Sequence, residues 1–219
     1  AILRLRWMKN NKSIMGASAS KYTGEVAKKV VILGGGFGGV YAAKKLEAAG
    51  NIEVTLVTPT DYLDISWAGP RAVADPESAP RNYIDLSDVL TTTTIVSGLA
   101  TAVDTSAKTV TVAGETLAYD ALVVATGSDY NADDPASIMK CSTKALKTKE
   151  ERVAQIQAES KKISDSKGVL IIGGGLSGIE MAGELSYYFP TLPITLVSSD
   201  ETLGAKLPAA GGAAAAARL

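Results

Sequence analysis

Two stretches of the same design decide the fold. They read "VVILGGGFGGVYAAKKL" at residues 30–46 and "GVLIIGGGLSGIEMAGEL" at residues 168–185. In each, a short aliphatic run predicts a strand, which in the first stretch is expected to be buried and parallel. A glycine cluster then predicts a tight turn, and the apolar residues that follow predict a helix, at about 39–49 and 179–188. A second apolar run follows, at 52–57 and 194–197, and completes a βαβ unit. The sequence therefore predicts an α/β fold that contains two such units.

The glycine spacing is Gly-x-Gly-x-x-Gly in both stretches. The first glycine permits a tight turn, the second leaves room for a pyrophosphate beside the backbone, and the third lets the helix pack closely on the strand. The unpaired N–H groups and the dipole of the helix N-terminus favour an anion at this place. The strand before and the helix after each cluster are the context that makes the pattern specific. We therefore predict two dinucleotide sites, with FAD at one and NADH or NADPH at the other, because such a pair passes electrons between its members.

The residue that ends the second strand of each unit bears on the choice of nucleotide. An acid at this place holds a ribose 2′-OH, whereas an arginine accommodates a 2′-phosphate. This sequence has Thr58 in the first unit, with Asp61 three residues later, and Ser198 in the second, with Asp200 two residues later. The pattern leaves NADH and NADPH both open.

The chain between the two units predicts further short elements. Residues 58–90 are rich in proline and predict loops. Strands are predicted at 94–103, 109–112 and 115–119, as an antiparallel meander, and at 121–125, as a buried strand. Helices are predicted at 144–163, with a stripe of Val153, Ile156, Ser160 and Ile163, and at 208–219. The predicted domains are a basic leader at 1–28, the first segment of an FAD-binding domain at 29–142, and an incomplete NAD(P)-binding domain at 143–219.

Composition excludes several kinds of chemistry. Cys141 is the single cysteine, so an intrachain disulfide and a Cys-x-x-Cys redox pair are both excluded. The absence of histidine excludes a histidine triad, a histidine metal site and a histidine general base. We predict no metal site and name no catalytic side chain, because a bound cofactor is the natural carrier of the chemistry.

The first residues of the chain are basic although the whole chain has a formal net charge of −1. Such a leader either touches an anionic membrane surface or is a solvated tail. Within it, "MGASAS" at residues 15–20 predicts N-myristoylation of Gly16 if Met15 is the start of translation. The whole-chain charge does not favour nucleic acid as a partner. The expected location is the cytoplasm, with or without membrane association, and the mitochondrion is the alternative.

With both glycine clusters and "LVVATGS" at 122–128, the chain resembles the pyridine nucleotide-disulfide oxidoreductase superfamily. The stretch "ISWAGPRAVADP" at 65–76 and the Met-Gly pattern upstream are similar to its apoptosis-inducing-factor-like and ferroptosis-suppressor-protein-like branch. The resemblance extends over about residues 15–219. It implies an FAD-dependent NAD(P)H oxidoreductase with a quinone as the acceptor, working at a membrane.

The resemblance also implies roles for individual residues. The FAD contacts would be Gly34, Gly35, Gly36, Phe37, Gly38, Gly39, Thr58, Arg71, Ala100, Thr126 and Gly127. The NAD(P) contacts would be Gly173, Gly175, Gly178 and Glu180. Three residues keep a second interpretation: Arg71 in a surface ion pair with Asp64 or Asp75, Trp67 in the core rather than against the flavin, and Glu180 as a first-turn acid that favours the helix dipole.

The sequence departs from the family pattern in three ways. The acid at the Thr58 position is missing, and so is the cysteine pair of the disulfide reductases. The sequence also stops before the late Gly-Asp and the C-terminal domain of the family, so we expect a C-terminally truncated member. The alternative function is therefore a truncated or degenerate member that binds FAD or a partner without catalysis.

Overall fold

The computed structural model describes residues 28–128, 148–205 and 208–217. We call residues 28–128 the first unit and the remaining described residues the second unit. The predictions for residues 1–27, including Gly16, lie outside this range, as do Cys141 and the predicted boundary between the two domains.

The first unit alternates strands with short helices. Its elements are β1 (Lys28–Leu33), α1 (Phe37–Ala49), β2 (Ile52–Thr58), β3 (Tyr62–Asp64), α2 (Gly69–Ala74), β4 (Tyr83–Asp85), α3 (Leu86–Val89), β5 (Thr94–Ser97), β6 (Ala100–Asp104), β7 (Thr109–Val112), β8 (Glu115–Ala118) and β9 (Ala121–Val124). Turns of 3-10 helix at Ser66–Ala68 and Ala79–Asn82 flank α2. The second unit consists of α4 (Lys149–Ser164), β10 (Val169–Ile172), α5 (Leu176–Tyr188), β11 (Ile194–Val197) and α6 (Ala209–Ala216).

A parallel sheet with the order β5-β2-β1-β9 forms the centre of the first unit. Along the chain, β2 and then β5 are added on one side of β1, and β9 is added later on its other side. The strand order therefore reverses at β1, and the carboxyl ends of β1 and β9 flank a crevice. Open α/β sheets bind ligands at such a switch point.

β1 is buried on both faces, as a parallel strand between two layers should be. On one face Val30 and Ile32 pack with Val40 of α1 and Leu56 of β2. On the other face Val31 and Leu33 pack with β7, through Val110 and Val112. The antiparallel meander β6-β7-β8 thus covers the face of the sheet opposite α1, and the predicted meander is confirmed.

The predicted strand at 94–103 is wrong as a single element. Residues 94–97 form β5 of the parallel sheet, whereas residues 100–104 form β6 of the meander. Gly98 separates them with φ +152°, and a Cβ at this residue would stand 2.8 Å from Val112 Cγ1. The glycine therefore redirects the chain between two sheets, which the continuous β-favouring sequence does not indicate.

Other boundaries also differ from the predictions. The segment 58–90, predicted as loops, contains the antiparallel pair β3-β4 and the helices α2 and α3, each too short to show a period. β1 begins at Lys28, so the last residue of the predicted leader belongs to a strand. Helices α1 and α5 begin two and three residues before the predicted starts, because the third glycine of each cluster lies inside the helix.

The two units share an apolar core. Tyr62, Val73 and Tyr83 of the first unit pack with Ile156 of α4 and Leu185 of α5, all of them buried. The predicted stripe of α4 faces this contact: Ile156 and Ser160 are buried, and Val153 and Ile163 are partly buried. Most charged side chains of α4 face outward, as the sequence predicts, whereas Arg152 is buried.

Candidate functional site

The first glycine turn, which we define as Gly34–Gly39, has the geometry that its spacing requires. Gly34 adopts φ +107°, and a Cβ on it would stand 2.3 Å from the carbonyl oxygen of Ala125. A Cβ on Gly39 would stand 1.8 Å from the carbonyl oxygen of Gly34. At Gly36, by contrast, no described atom beyond the neighbouring residues of the chain lies within 4 Å of such a Cβ. The turn is therefore closed at Gly34 and Gly39 and open at Gly36, the middle glycine of the Gly-x-Gly-x-x-Gly pattern.

Helix α1 leaves the turn with Gly36 as its N-cap, and no side chain of the described residues caps it. Its first turn contains no acidic residue. The first N–H groups of the helix are consequently available to an anion, and the helix dipole favours negative charge there. These residues fit the pyrophosphate of a dinucleotide.

A cavity of about 300 Å³ opens above the first glycine turn. Gly34, Gly35, Gly36 and Phe37 line one side of it, and Thr126 lines the other. A second cavity of about 280 Å³ continues toward β6, where Gly98, Leu99 and Ala100 line it. The two cavities share Gly34, Pro59, Thr126, Gly127 and Ser128. The combined space is elongated, as a dinucleotide bound across a switch point requires.

The structure brings most of the predicted FAD residues together at this elongated space. Gly38 and Gly39 stand behind it in the first turn of α1. Sequence reasoning missed several lining residues, namely Pro59, Thr60, Tyr62, Asp64, Ser66 and Ser128. Most of these fall in the proline-rich stretch predicted as loops, where no spacing pattern marks them.

Thr58 ends β2 beside the turn and is buried. Its hydroxyl donates to the carbonyl oxygen of Thr60 at 3.2 Å and accepts from the Thr60 amide at 3.4 Å. A Cβ on Gly35 would stand 2.4 Å from this hydroxyl, so residue 35 must lack a side chain. Asp61 points elsewhere, because its carboxylate accepts from the backbone amide of Lys149 at 3.0 Å.

The second glycine turn, Gly173–Gly178, repeats this geometry. Gly173 adopts φ +120°, a Cβ on Gly178 would stand 1.9 Å from its carbonyl oxygen, and at Gly175 no described atom lies within 4 Å. Gly175 is the N-cap of α5, again with no side-chain cap among the described residues.

The flanking hydroxyl is repeated as well. A Cβ on Gly174 would meet the Ser198 hydroxyl at 2.5 Å, as Gly35 would meet Thr58. The Ser198 hydroxyl accepts from the Asp200 amide at 3.1 Å, which matches the Thr58–Thr60 turn of the first unit. The two glycine turns therefore have the same local structure.

Glu180 is exposed in the second turn of α5, because the helix begins at Leu176. The interpretation of Glu180 as a first-turn acid is therefore wrong. Glu180 and Arg71 line the same shallow groove on the surface between α2 and α5.

Arg71 is placed away from the two cavities over the first glycine turn. Its guanidinium pairs with Glu184 of α5, not with Asp64 or Asp75 as the alternative interpretation predicted. The hydrogen bond to Glu184 is the main cause that raises the pKa of Arg71. The role of Arg71 as an FAD contact stays a prediction.

Trp67 is two-thirds exposed and stacks on Phe37, with ring centroids 4.7 Å apart and an interplanar angle of 28°. The core interpretation of Trp67 is therefore wrong. Phe37 also lines the cavity, so Trp67 stacks on one of the lining residues.

Two further observations bear on function. Within the described residues, no group of histidine, cysteine, aspartate and glutamate side chains could hold a metal ion. In the same part of the chain, no helix combines the length and the apolar character needed to cross a membrane.

The fold and the paired glycine turns define a protein with two dinucleotide-binding βαβ units. Residues 28–219 match the family described as pyridine nucleotide-disulphide oxidoreductase, and the chain belongs to this family. Family membership supports FAD and NADH or NADPH as the cofactors, as the sequence predicted. It also supports the predicted α/β fold class.

Known relatives agree with this assignment. The chain is 32% identical over 193 residues to ferroptosis suppressor protein 1 of Mus musculus, covering 88% of this chain and 49% of the relative. It is 34% identical to apoptosis-inducing factor homolog A of Dictyostelium discoideum, over 74% of this chain and 38% of the relative. The chain thus spans about half the length, or less, of these relatives.

The fold has solved counterparts. The structure of NDH2 from Plasmodium falciparum in complex with NADH superposes with a TM-score of 0.69 at 17% identity, covering 85% of this chain and 45% of that one.

Proposed function

We propose that this protein is an FAD-dependent NAD(P)H oxidoreductase that passes electrons to a quinone. The observation that carries the proposal is the matched geometry of the two glycine turns, each with an open middle glycine at an uncapped helix N-terminus. Two such sites in one molecule suit two dinucleotides that exchange electrons.

We assign FAD to the first glycine turn. The elongated cavity, the end of β9 and the "LVVATGS" stretch all lie at this turn. Gly34 to Gly39, Thr58, Ala100, Thr126 and Gly127 would hold the cofactor, mostly through backbone groups. The bound flavin supplies the redox chemistry, and the chain's own residues bind it, orient it and limit its access to water.

We assign NADH or NADPH to the second glycine turn. Gly173, Gly175 and Gly178 would receive the pyrophosphate, and Glu180 lies one turn further along α5. The shared apolar core between the units supports this arrangement, because it packs the helix that carries the second turn against the first unit. A packed contact of this kind favours a fixed spacing between the two sites.

The quinone is what the resemblance to the apoptosis-inducing-factor-like branch implies. The exposed Phe37–Trp67 pair supports it, since Phe37 lines the cavity and exposed stacked aromatic rings suit a planar ring. Contact of the basic leader with a membrane is part of the proposal, because lipid-soluble quinones are met at membranes.

The proposal is tested on the protein encoded by the full reading frame that contains this chain. We expect a yellow protein after FAD is supplied, anaerobic bleaching of the flavin absorbance by NADH or NADPH, and recovery of the colour when a short-chain quinone is added. A protein that stays colourless with FAD would overturn the proposal.

Two partial outcomes separate its steps. If the protein is yellow but neither NADH nor NADPH bleaches it, the noncatalytic alternative is correct. If the dinucleotide bleaches the flavin but the quinone does not restore the colour, the oxidoreductase assignment holds and the acceptor is a different compound.

A further inference from the structure

Arg71 and Glu184 form a two-point ion pair between the units. The Arg71 Nε donates to one carboxylate oxygen of Glu184, and Nη2 donates to the other at 2.9 Å. Arg71 belongs to α2 of the first unit, whereas Glu184 lies 113 residues later in α5 of the second. The planar guanidinium matches the carboxylate in this arrangement and fixes both distance and orientation.

Tyr188 adds a second connection between the same two helices. Its ring lies under the guanidinium of Arg71, 5.6 Å from ring centroid to Cζ. Its hydroxyl donates to Asp75 Oδ2, just after α2, at 3.3 Å. Arg71 is thus held by an acid and an aromatic ring that both come from α5.

The position of this pair relates it to both nucleotide sites. α5 begins at Leu176 with Gly175 as its N-cap, so its orientation decides where the second glycine turn lies. α2 belongs to the excursion that follows β2, which ends at Thr58 beside the first turn. The ion pair therefore connects the two segments that position the two cofactors.

The apolar contact beneath the pair fixes the spacing of the two helices more strongly than their alignment. Val73 of α2 and Met181 and Leu185 of α5 are buried there. Apolar burial is strong but non-directional, so it holds the helices together without selecting one alignment. A bidentate ion pair is directional and supplies that selection.

We propose that Arg71 and Glu184 form a clamp that sets the position of the second glycine turn relative to the first. Arg71 is then a positioning residue rather than an FAD contact, and Glu184, which the sequence analysis did not single out, is its partner. The catalytic consequence rests on the proposed electron transfer between the two sites. The geometric consequence does not.

The geometry is tested with spin labels on the two units of the full-length protein. Cysteines replace the exposed Lys44 of α1 and Thr195 of β11 in a background in which Cys141 and any other cysteine of the full-length protein are replaced by serine. We expect a narrow distance distribution that broadens in Arg71→Ala and in Glu184→Gln, and that narrows again in the charge swap Arg71→Glu with Glu184→Arg. Distributions that stay narrow in both single variants would overturn the clamp.

Matched variants guard against general damage to the fold. Asp165→Asn removes an exposed ion pair at the end of α4, where Asp165 Oδ2 lies 2.8 Å from Lys161 Nζ, and we expect it to leave the distribution narrow. Arg71→Lys keeps the charge but loses the fork, so partial broadening supports the bidentate geometry. Broadening as large in Asp165→Asn as in Glu184→Gln would overturn the assignment.

The catalytic consequence is read from stopped-flow reduction of the flavin. At saturating NADH or NADPH, we expect Arg71→Ala and Glu184→Gln to slow flavin reduction about tenfold, because a small misplacement of reacting groups has a large effect on rate. FAD content and dinucleotide Kd should stay at the wild-type values, and the charge swap should restore the rate. Loss of FAD in Arg71→Ala alone would overturn the clamp and make Arg71 a cofactor contact.

Failure of the proposed function would look different. If the wild-type flavin is not reduced by either dinucleotide, the oxidoreductase proposal fails. The spin-label distances still decide whether Arg71 and Glu184 set the relative position of the units.

Discussion

The carbonyl oxygen of Gly34 stands where a side chain of residue 39 would begin, 1.8 Å from the ideal Cβ position. The same relationship holds between Gly173 and Gly178, at 1.9 Å. In both units the helix therefore packs directly against the backbone carbonyl of the glycine that follows the strand. The obstacle is backbone, so no rotamer change can relieve it.

Gly39→Ala should therefore destabilise the first unit. The helix must move away from the strand, and overpacking of this kind costs about 1 to 3 kcal/mol. Gly38→Ala is the matched control in the same helical turn, because its Cβ would meet only Ala125 Cβ at an ordinary 3.8 Å. Chemical denaturation should show a loss for Gly39→Ala and a neutral or slightly positive effect for Gly38→Ala. Equal losses would contradict the geometric explanation.

The open middle glycines predict a different outcome. Gly36→Val and Gly175→Val place their side chains in space where no described atom lies within 4 Å of Cβ, so folding should be preserved. The valine would instead occupy the approach of the pyrophosphate. We expect Gly36→Val to lose FAD, measured as flavin absorbance per chain. We expect Gly175→Val to keep FAD but to require much more NADH or NADPH for bleaching, and exchanged phenotypes would reverse our assignment of the two sites.

Glu47 ties the end of α1 to the segment before β5. Its carboxylate accepts from the backbone amides of Thr91, Thr92 and Thr93 at 2.8 to 2.9 Å, and from the Thr93 hydroxyl at 2.8 Å. Glu47→Gln should lower the free energy of unfolding by about 1 kcal/mol, because the amide is a weaker acceptor than the carboxylate. Glu53→Gln, at an exposed acid on β2, is the control and should have little effect.

The same contact predicts a pH dependence. Desolvation by burial raises the pKa of Glu47, but the hydrogen bonds from Thr92, Thr93 and Thr91 outweigh it, and the net pKa lies below the usual 4.5. A carboxyl with a lowered folded-state pKa stabilises the fold above its unfolded pKa and loses that contribution as the pH falls through the folded value. The stability difference between wild type and Glu47→Gln should be constant near neutrality and shrink below about pH 4.5. A difference that grows in acid would contradict this contact.

Thr148 starts α4 with a reciprocal capping box. Its hydroxyl accepts from the Glu151 amide at 3.3 Å, and the Glu151 carboxylate accepts from the Thr148 amide at 3.0 Å. Thr148→Ala should cost about 1 kcal/mol of stability, whereas Thr148→Ser should stay close to wild type because the hydroxyl is retained. Thermal unfolding distinguishes them, and equal melting temperatures for the two variants would show that the cap contributes nothing.

The paired βαβ units could be predicted because their signals are local. A strand, a glycine turn and a helix follow one another within about 20 residues, and each residue type acts on its own backbone. The segment 58–90 could not be predicted in the same way. β3, β4 and α2 are three to six residues long, and they form because β3 pairs with β4 and α2 packs on α5, not because of an internal period.

The prediction of a single strand at 94–103 was wrong for a related reason. Its β-favouring residues fit either sheet, and the deciding feature is where the backbone turns at Gly98 against Val112. A propensity that both sheets satisfy cannot choose between them. The lining residues Asp64 and Ser66 were missed because they lie in the segment 58–90, where no spacing pattern marks them.

The sequence by itself determined the two glycine turns, since a positive φ at Gly34 and Gly173 and the absent Cβ at Gly39 and Gly178 are properties of the residue type. It also determined the kind of ligand that such turns accept. The tertiary structure alone decided that Arg71 pairs with Glu184 and that Phe37 stacks on Trp67. It also decided that the Asp61 carboxylate accepts a hydrogen bond from the backbone amide of Lys149 at the start of α4. These pairs join residues far apart in the chain, and only the packing of one unit on the other, or of distant segments within a unit, brings them into contact.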